Sequence, residues 1–192
     1  MYDLGDDRVL WPQLQHGPDP RLRSYLINHL QQFLYSPARL AEQLDPDHDS
    51  GVRQAIVLIL GSTLSVNPAI EHRDALAKSL IRIYKEDPDS GVHSAVEWSL
   101  RRLGAGDMIE LALTDLSTLG LRQGYHWYVT NSRITMAIFE ARGSVQFGSP
   151  DSETGRDTRD EEIWRANLDW SFAVSYTHLD VYKRQGYASL PK

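Results

Sequence analysis

Apolar residues recur at helical spacing through the first hundred positions and closer to strand spacing after them. Three segments align without gaps. They are Asp19-Pro20-Arg21-Leu22-Arg23-Ser24-Tyr25-Leu26, Asp49-Ser50-Gly51-Val52-Arg53-Gln54-Ala55-Ile56 and Asp89-Ser90-Gly91-Val92-His93-Ser94-Ala95-Val96. Their starts lie 30 and then 40 residues apart. Each opens a stretch with apolar positions at i, i+3, i+4, i+7 and i+8, which places one wide stripe on one helix face. In the first copy these are Leu22, Tyr25, Leu26, His29, Leu30 and Phe33; in the second, Val52, Ala55, Ile56, Ile59 and Leu60. In the third they are Val92, Ala95, Val96, Ser99, Leu100 and Leu103.

The Asp before each stretch predicts an N-cap, because a carboxylate can accept from the free N–H groups of a first turn. Pro20 is expected at the first helical position, where its missing N–H costs nothing. Shorter amphipathic stretches lie between the copies: residues 37–44 with Leu40, Ala41 and Leu44, and residues 68–84 with Leu76, Leu80, Ile83 and Tyr84. Pro37 and Pro68 mark their starts, and Gly61 and Gly104 are expected as helix C-caps. The predicted unit is a pair of antiparallel helices, repeated.

The period and the Asp-x-x-Val-Arg opening resemble HEAT repeats, the helical hairpins of α-solenoids. The resemblance spans residues 8–105 and implies about two and a half hairpins whose stripes need neighbouring hairpins for cover. Trp11 and Leu14 read as the remainder of a preceding helix, so the natural protein is expected to continue upstream. The fold class expected for the whole chain is mainly α, with a short, incomplete β-rich fragment of α+β character after the helical repeats.

Residues 106–124 read as a helix from Asp107 to Leu116, with Met108, Leu111, Ala112 and Leu116 apolar, followed by a connector between Gly120 and Gly124. The period then shortens. Residues 127–129, 134–139 and 144–147 read as strands, with a turn at 130–133 and a polar loop over 149–160. The run from Met136 to Pro150 (Met-Ala-Ile-Phe-Glu-Ala-Arg-Gly-Ser-Val-Gln-Phe-Gly-Ser-Pro) resembles the opening of sulfatase-modifying-factor domains, the formylglycine-generating-enzyme family. Arg159, the acidic run 160–162 and Phe172 follow in the family's order. Ala141 and Arg142 stand where that family usually has Pro and Gly, and Phe147 replaces its Met. The resemblance covers residues 125–174 and implies an α+β domain start.

That family oxidises cysteine using a copper-binding cysteine pair, and this chain has no cysteine. No catalytic, cofactor-binding or metal-binding residue is therefore expected, and no cofactor. The cysteine count also removes disulfides and thiolate metal sites. The acidic run 45–51 fails as an EF-hand loop, since Ser50 and Ile56 occupy the places of its Gly and bidentate Glu. No phosphate-binding loop, His-Glu-x-x-His or Gly-x-Ser-x-Gly pattern occurs. His29 reads as a core histidine at the exposed end of the stack. Arg23 and Arg53 are expected to pair with Asp49 and Asp89 as a register-setting ladder.

The chain has 192 residues and a net charge of −6 without a local basic cluster, which argues against nucleic acid or an anionic membrane as partner. Neither a membrane span nor a secretory signal is legible, so a cytoplasmic setting is favoured. Residues 175–185 resemble the translation of two facing transposase adapters used in sequencing libraries; the alternative is a native strand through Val181 and Tyr182. The whole segment 175–192 is set aside on the first reading. The functional expectation is a helical interaction or linker module that binds a protein partner and precedes a formylglycine-generating-enzyme-like domain in a bacterial multidomain protein. The alternatives are a piece of an active sulfatase-modifying enzyme or of a Ser/Thr-kinase-linked signalling protein.

Overall fold

The structure, a computed structural model, describes residues 9–30, 40–41, 44–45, 47–66, 73–140, 143–150, 152–157 and 159–175. It is mixed α and β. The helices are α1 (Arg21–His29), α2 (Ser50–Val66), α3 (Arg73–Glu86), α4 (Ser90–Arg102) and α5 (Gly106–Leu116), with a 3-10 turn at Trp11–Leu14. The strands are β1 (Trp127–Val129), β2 (Thr135–Phe139), β3 (Gly143–Phe147), β4 (Trp164–Leu168) and β5 (Phe172–Val174). Pro37, Pro68, Phe33, Ala141, Arg142 and the tail beyond Ser175 lie outside the described residues.

The chain divides into two compact units, Met1–Arg133 and Ile134–Lys192. In the first, α2 lies along α4, α3 packs on α4, and α5 packs on α3 and α4, while α1 and the 3-10 turn rest on α2. The stripes of the second and third copies are buried in full, from Val52 to Leu60 and from Val92 to Leu103. Ser99, the polar member of the third stripe, donates to the Val57 carbonyl at 3.0 Å, so its hydroxyl is satisfied in the core. The first copy departs from expectation. Leu22 and Tyr25 are 52% and 58% exposed, whereas Leu26 is half-buried and Leu30 buried. Arg23 turns inward instead, because its guanidinium finds backbone acceptors there.

Two of the three caps form as expected. Asp49 Oδ1 accepts from the Gly51 and Val52 N–H groups at 2.9 and 3.3 Å, and Asp89 Oδ1 from Val92 at 2.8 Å. Asp19 accepts from the Arg21 N–H at 3.0 Å, but the N-cap position of α1 belongs to Pro20, one residue earlier than expected for that proline. Gly104 ends α4 with φ +72°. Its N–H donates to Arg101 O at 3.1 Å, and Ala105 N–H donates to Leu100 O at 3.0 Å, the paired bonds of a Schellman motif.

Gly61 does not end a helix. It sits inside α2, where a Cβ would fall 2.5 Å from Ser99 Oγ and within 2.8 Å of the Trp98 ring. The glycine therefore serves the close approach of α2 to α4. In α5 the buried face is Ile109, Ala112, Leu113 and Leu116, with Met108 half-buried and Leu111 67% exposed. The expected stripe was rotated by about one residue, because α3 and α4 choose which of two apolar faces to cover. Ala105, not Asp107, occupies the cap position.

The first compact unit extends through Arg133. Trp127 is fully buried within the helical unit, as Val129 nearly is. The turn at 130–133 forms, with Arg133 N–H donating to Thr130 O at 2.8 Å and Arg133 at φ +60°.

In the second unit β2 and β5 run antiparallel, Ala137 opposite Val174 and Phe139 opposite Phe172, whose rings stack at 5.3 Å. Strands β3 and β4 pair from Gly143↔Leu168 to Phe147↔Trp164, and the last two rings stack at 4.5 Å. Gly148, at φ +95°, lies against the Glu162 carbonyl, and Ser149 N–H donates to Glu161 O at 3.1 Å. These aromatic rings remain substantially exposed.

Candidate functional site

One sequence position, five residues into each repeat, ties the copies together. It holds Arg23, Arg53 and His93. Arg23 Nε donates to Leu14 O at 2.8 Å, and its Nη2 to Gly51 O and Gln54 Oε1 at 3.0 and 2.9 Å. It thereby joins the 3-10 turn to the start of α2, and partial burial pulls its pKa down. Arg53 forms a bidentate pair with Asp87, Nε to Oδ2 at 2.9 Å and Nη2 to Oδ1 at 3.1 Å, and its Nη1 donates to His48 O. The ladder exists, but its rungs land elsewhere than expected. Arg23 takes backbone and amide oxygens rather than the Asp49 carboxylate, and Arg53 takes Asp87 rather than Asp89. Asp87 stands where the Arg53 fork reaches both of its oxygens, whereas Asp89 is turned onto the first turn of α4 as its cap. Asp87 Oδ1 in turn accepts from Asp89 N–H at 2.9 Å, so the Arg53 rung also braces the cap of α4.

His93 breaks the arginine series and is fully buried. Its ring lies between Tyr84, at 4.0 Å, and Trp127, at 3.7 Å. Nδ1 donates to Tyr84 O at 2.8 Å. That carbonyl would normally receive the N–H of residue 88, but residue 88 is proline and has none. Burial holds His93 down at about 3, the Tyr84 carbonyl opposes this, and the nearby Arg122 charge adds to it. At ordinary pH the imidazole is neutral.

The segment 121–129 supplies the rest of this cap. Arg122 Nη1 donates to Lys85 O at 3.0 Å, Tyr125 Oη to Glu86 O at 2.9 Å, Trp127 Nε1 to Asp87 O at 2.8 Å, and His126 N–H to Pro88 O at 2.9 Å. Four consecutive carbonyls at the end of α3 are thus taken by one strap. The Arg122 guanidinium lies 3.5 Å over the Tyr125 ring and 4.5 Å over Trp127.

Beside the Arg53–Asp87 pair a groove of about 310 Å³ opens between Leu44, Ile83, Pro88 and Val92, with Arg82 exposed at its edge. Its floor is apolar, and Arg53, Arg82, Glu86 and Asp87 supply its charged rim. Among the described residues that line it, no nucleophile stands beside a base.

Among the described residues no three His, Asp or Glu side chains converge as a metal site. The acidic run is spent on turn bonds: Asp45 accepts from Asp47 N–H at 2.9 Å, and Asp49 caps α2. His29 is half-buried, its ring 4.3 Å from Tyr25. The His93, Arg122 and Trp127 cluster was not read from the sequence, although His in the arginine slot was a visible signal. No family model, curated protein or solved structure matches the chain. No helix among the described residues is long and apolar enough to cross a membrane.

Proposed function

We propose that residues 8–105 form a HEAT-like α-solenoid segment that acts as a protein interaction or linker module and performs no catalysis. The observation that carries this reading is the equivalence of α2 and α4. Both are opened by an Asp-Ser-Gly-Val cap, both bury the same stripe positions, and the turns before them are bridged by Arg53 and Asp87. A repeat built this way presents its inter-helix turns and grooves in a row, as extended binding surfaces require. The groove beside Arg82 is the surface assigned to a protein partner carrying an apolar side chain next to a carboxylate.

The test is affinity capture from a lysate of the producing organism with the full chain as bait. A specific partner is expected, and Arg82→Glu should abolish its capture without lowering helicity. A partner captured equally by the charge-reversed chain would exclude this groove, and no specific capture at all would count against a binding role.

A second reading concerns residues 125–174, as the start of a formylglycine-generating-enzyme-like domain. It is supported by Gly148-Ser149, which sit against Glu161 and Glu162 at a point where no Cβ fits. On this reading the parent protein continues as that domain, and an active enzyme or a kinase-linked protein is the alternative parent. Sequencing the uninterrupted gene tests it. A complete domain with a late cysteine pair would make the parent a sulfatase-modifying enzyme, and absence of the domain would remove the reading.

A further inference from the structure

We propose that residues 121–129 are an acid-released strap, and that protonation of His93 is the event that lifts it from the end of α3. The geometry allows His93 no comfortable charged state. Nδ1 is committed as donor to Tyr84 O, and Nε2 is buried without a hydrogen-bond partner. A proton on Nε2 creates a second donor with no acceptor.

The group nearest the free ring nitrogen is hostile to that proton. Arg122 brings a positive charge close to the ring, and its own Nη2 is also buried without a partner. Trp127 closes the other face of the imidazole. The remaining groups leave this balance unchanged. On α3, Tyr84 Oη donates to Glu97 Oε2 at 3.3 Å, and Lys85 is paired with Asp115 of α5. On α4, Glu97 is paired with Arg101. On α2, Arg53 is paired with Asp87, while Glu86 and His126 lie at the exposed surface. Removing the strap relieves both defects together, since it exposes Nε2 to water and takes the guanidinium away.

The strap holds the end of α3 by three side-chain donors and one backbone N–H to four successive carbonyls, bonds that water can replace, while Trp127, fully buried against His93, must leave the core when the strap opens. With the closed-state imidazole near 3 and an open one near 6.5, opening is favoured on the order of 100-fold more at pH 4 than at pH 7.

The absence of native cysteine makes the test direct. Spin labels at Ser79→Cys and Gln123→Cys, both exposed positions outside the cluster, report the distance from α3 to the strap in the full chain. A single narrow distance is expected at pH 7. A longer, broader component should grow steeply relative to the narrow one as pH falls to 4, while the ellipticity at 222 nm is retained. His93→Asn keeps a donor for Tyr84 O but does not titrate, and it should hold the narrow distance at pH 4. An unchanged distance down to the pH where helices melt would overturn the proposal. So would loss of helicity in the same step, or identical broadening in the His93→Asn chain.

Discussion

At the scale of single residues, this protein assigns glycine, histidine and arginine to positions where only their particular chemistry fits. Gly61 lets α2 approach α4 so closely that a methyl group has no room. Gly61→Ala is therefore expected to destabilise the helical unit by about 1–3 kcal/mol by overpacking, despite alanine's better helix propensity. Urea unfolding followed at 222 nm measures this, and an unchanged or higher midpoint would contradict the close-approach reading. His93 makes stability depend on pH in a defined direction. Its folded-state pKa lies near 3, below the unfolded value of 6.5, so the unfolded chain binds the extra proton between those limits. Stability is complete above about pH 6.5 and falls as pH drops, by roughly 1.4 kcal/mol per unit until the strap opens. Urea midpoints at pH 7 and pH 5 should diverge for the native chain and converge for His93→Asn, relative to one another.

At the scale of elements, similar sequence openings do not carry equal weight. Asp89 holds the first turn of α4 through its side chain, and Asp89→Ala should cost about 1 kcal/mol in thermal or urea unfolding. Asp19 is exposed and ties itself mainly to Arg21, which also holds its carboxyl below the usual range. Asp19→Ala should leave the midpoint nearly unchanged. Equal losses at both sites would mean that α1 is capped as α4 is. The difference arises because Pro20 shifts the start of α1 by one residue. Helix α5 gives the complementary lesson. Its periodicity was legible from the sequence, but Leu111 and Ile109 are equally apolar, and only packing against α3 and α4 selects Ile109.

At the scale of the whole molecule, the two units differ in how much apolar surface they hide. The helical unit buries the stripes of its second and third copies. The second unit presents two antiparallel ladders with Phe139, Phe147, Trp164 and Phe172 substantially exposed, and such short ladders are marginal in water. Limited trypsin digestion should cut after Arg159 and Arg165 well before it cuts after Arg53, Lys85 or Arg101, as followed by mass spectrometry. Comparable rates at both sets would mean that the second unit has a core of its own. The helical unit extends through Arg133 because Tyr125 and Trp127 reach carbonyls at the end of α3 with their polar tips.

The amino-acid sequence by itself determined the helical periodicity, the Asp caps of α2 and α4, the terminating Gly104 and the change to strand spacing. These are local properties, set within one or two turns of chain by side-chain spacing and backbone preference. Only the tertiary structure decided which oxygens the arginines reach, why Gly61 is a glycine, and which face of α5 is covered. It also decided that Pro88 leaves a carbonyl for His93 to satisfy, and that a strap more than thirty residues away takes the next four. Each of those depends on atoms brought together across the fold, where a hydrogen-bonding group settles on the acceptor that burial leaves open.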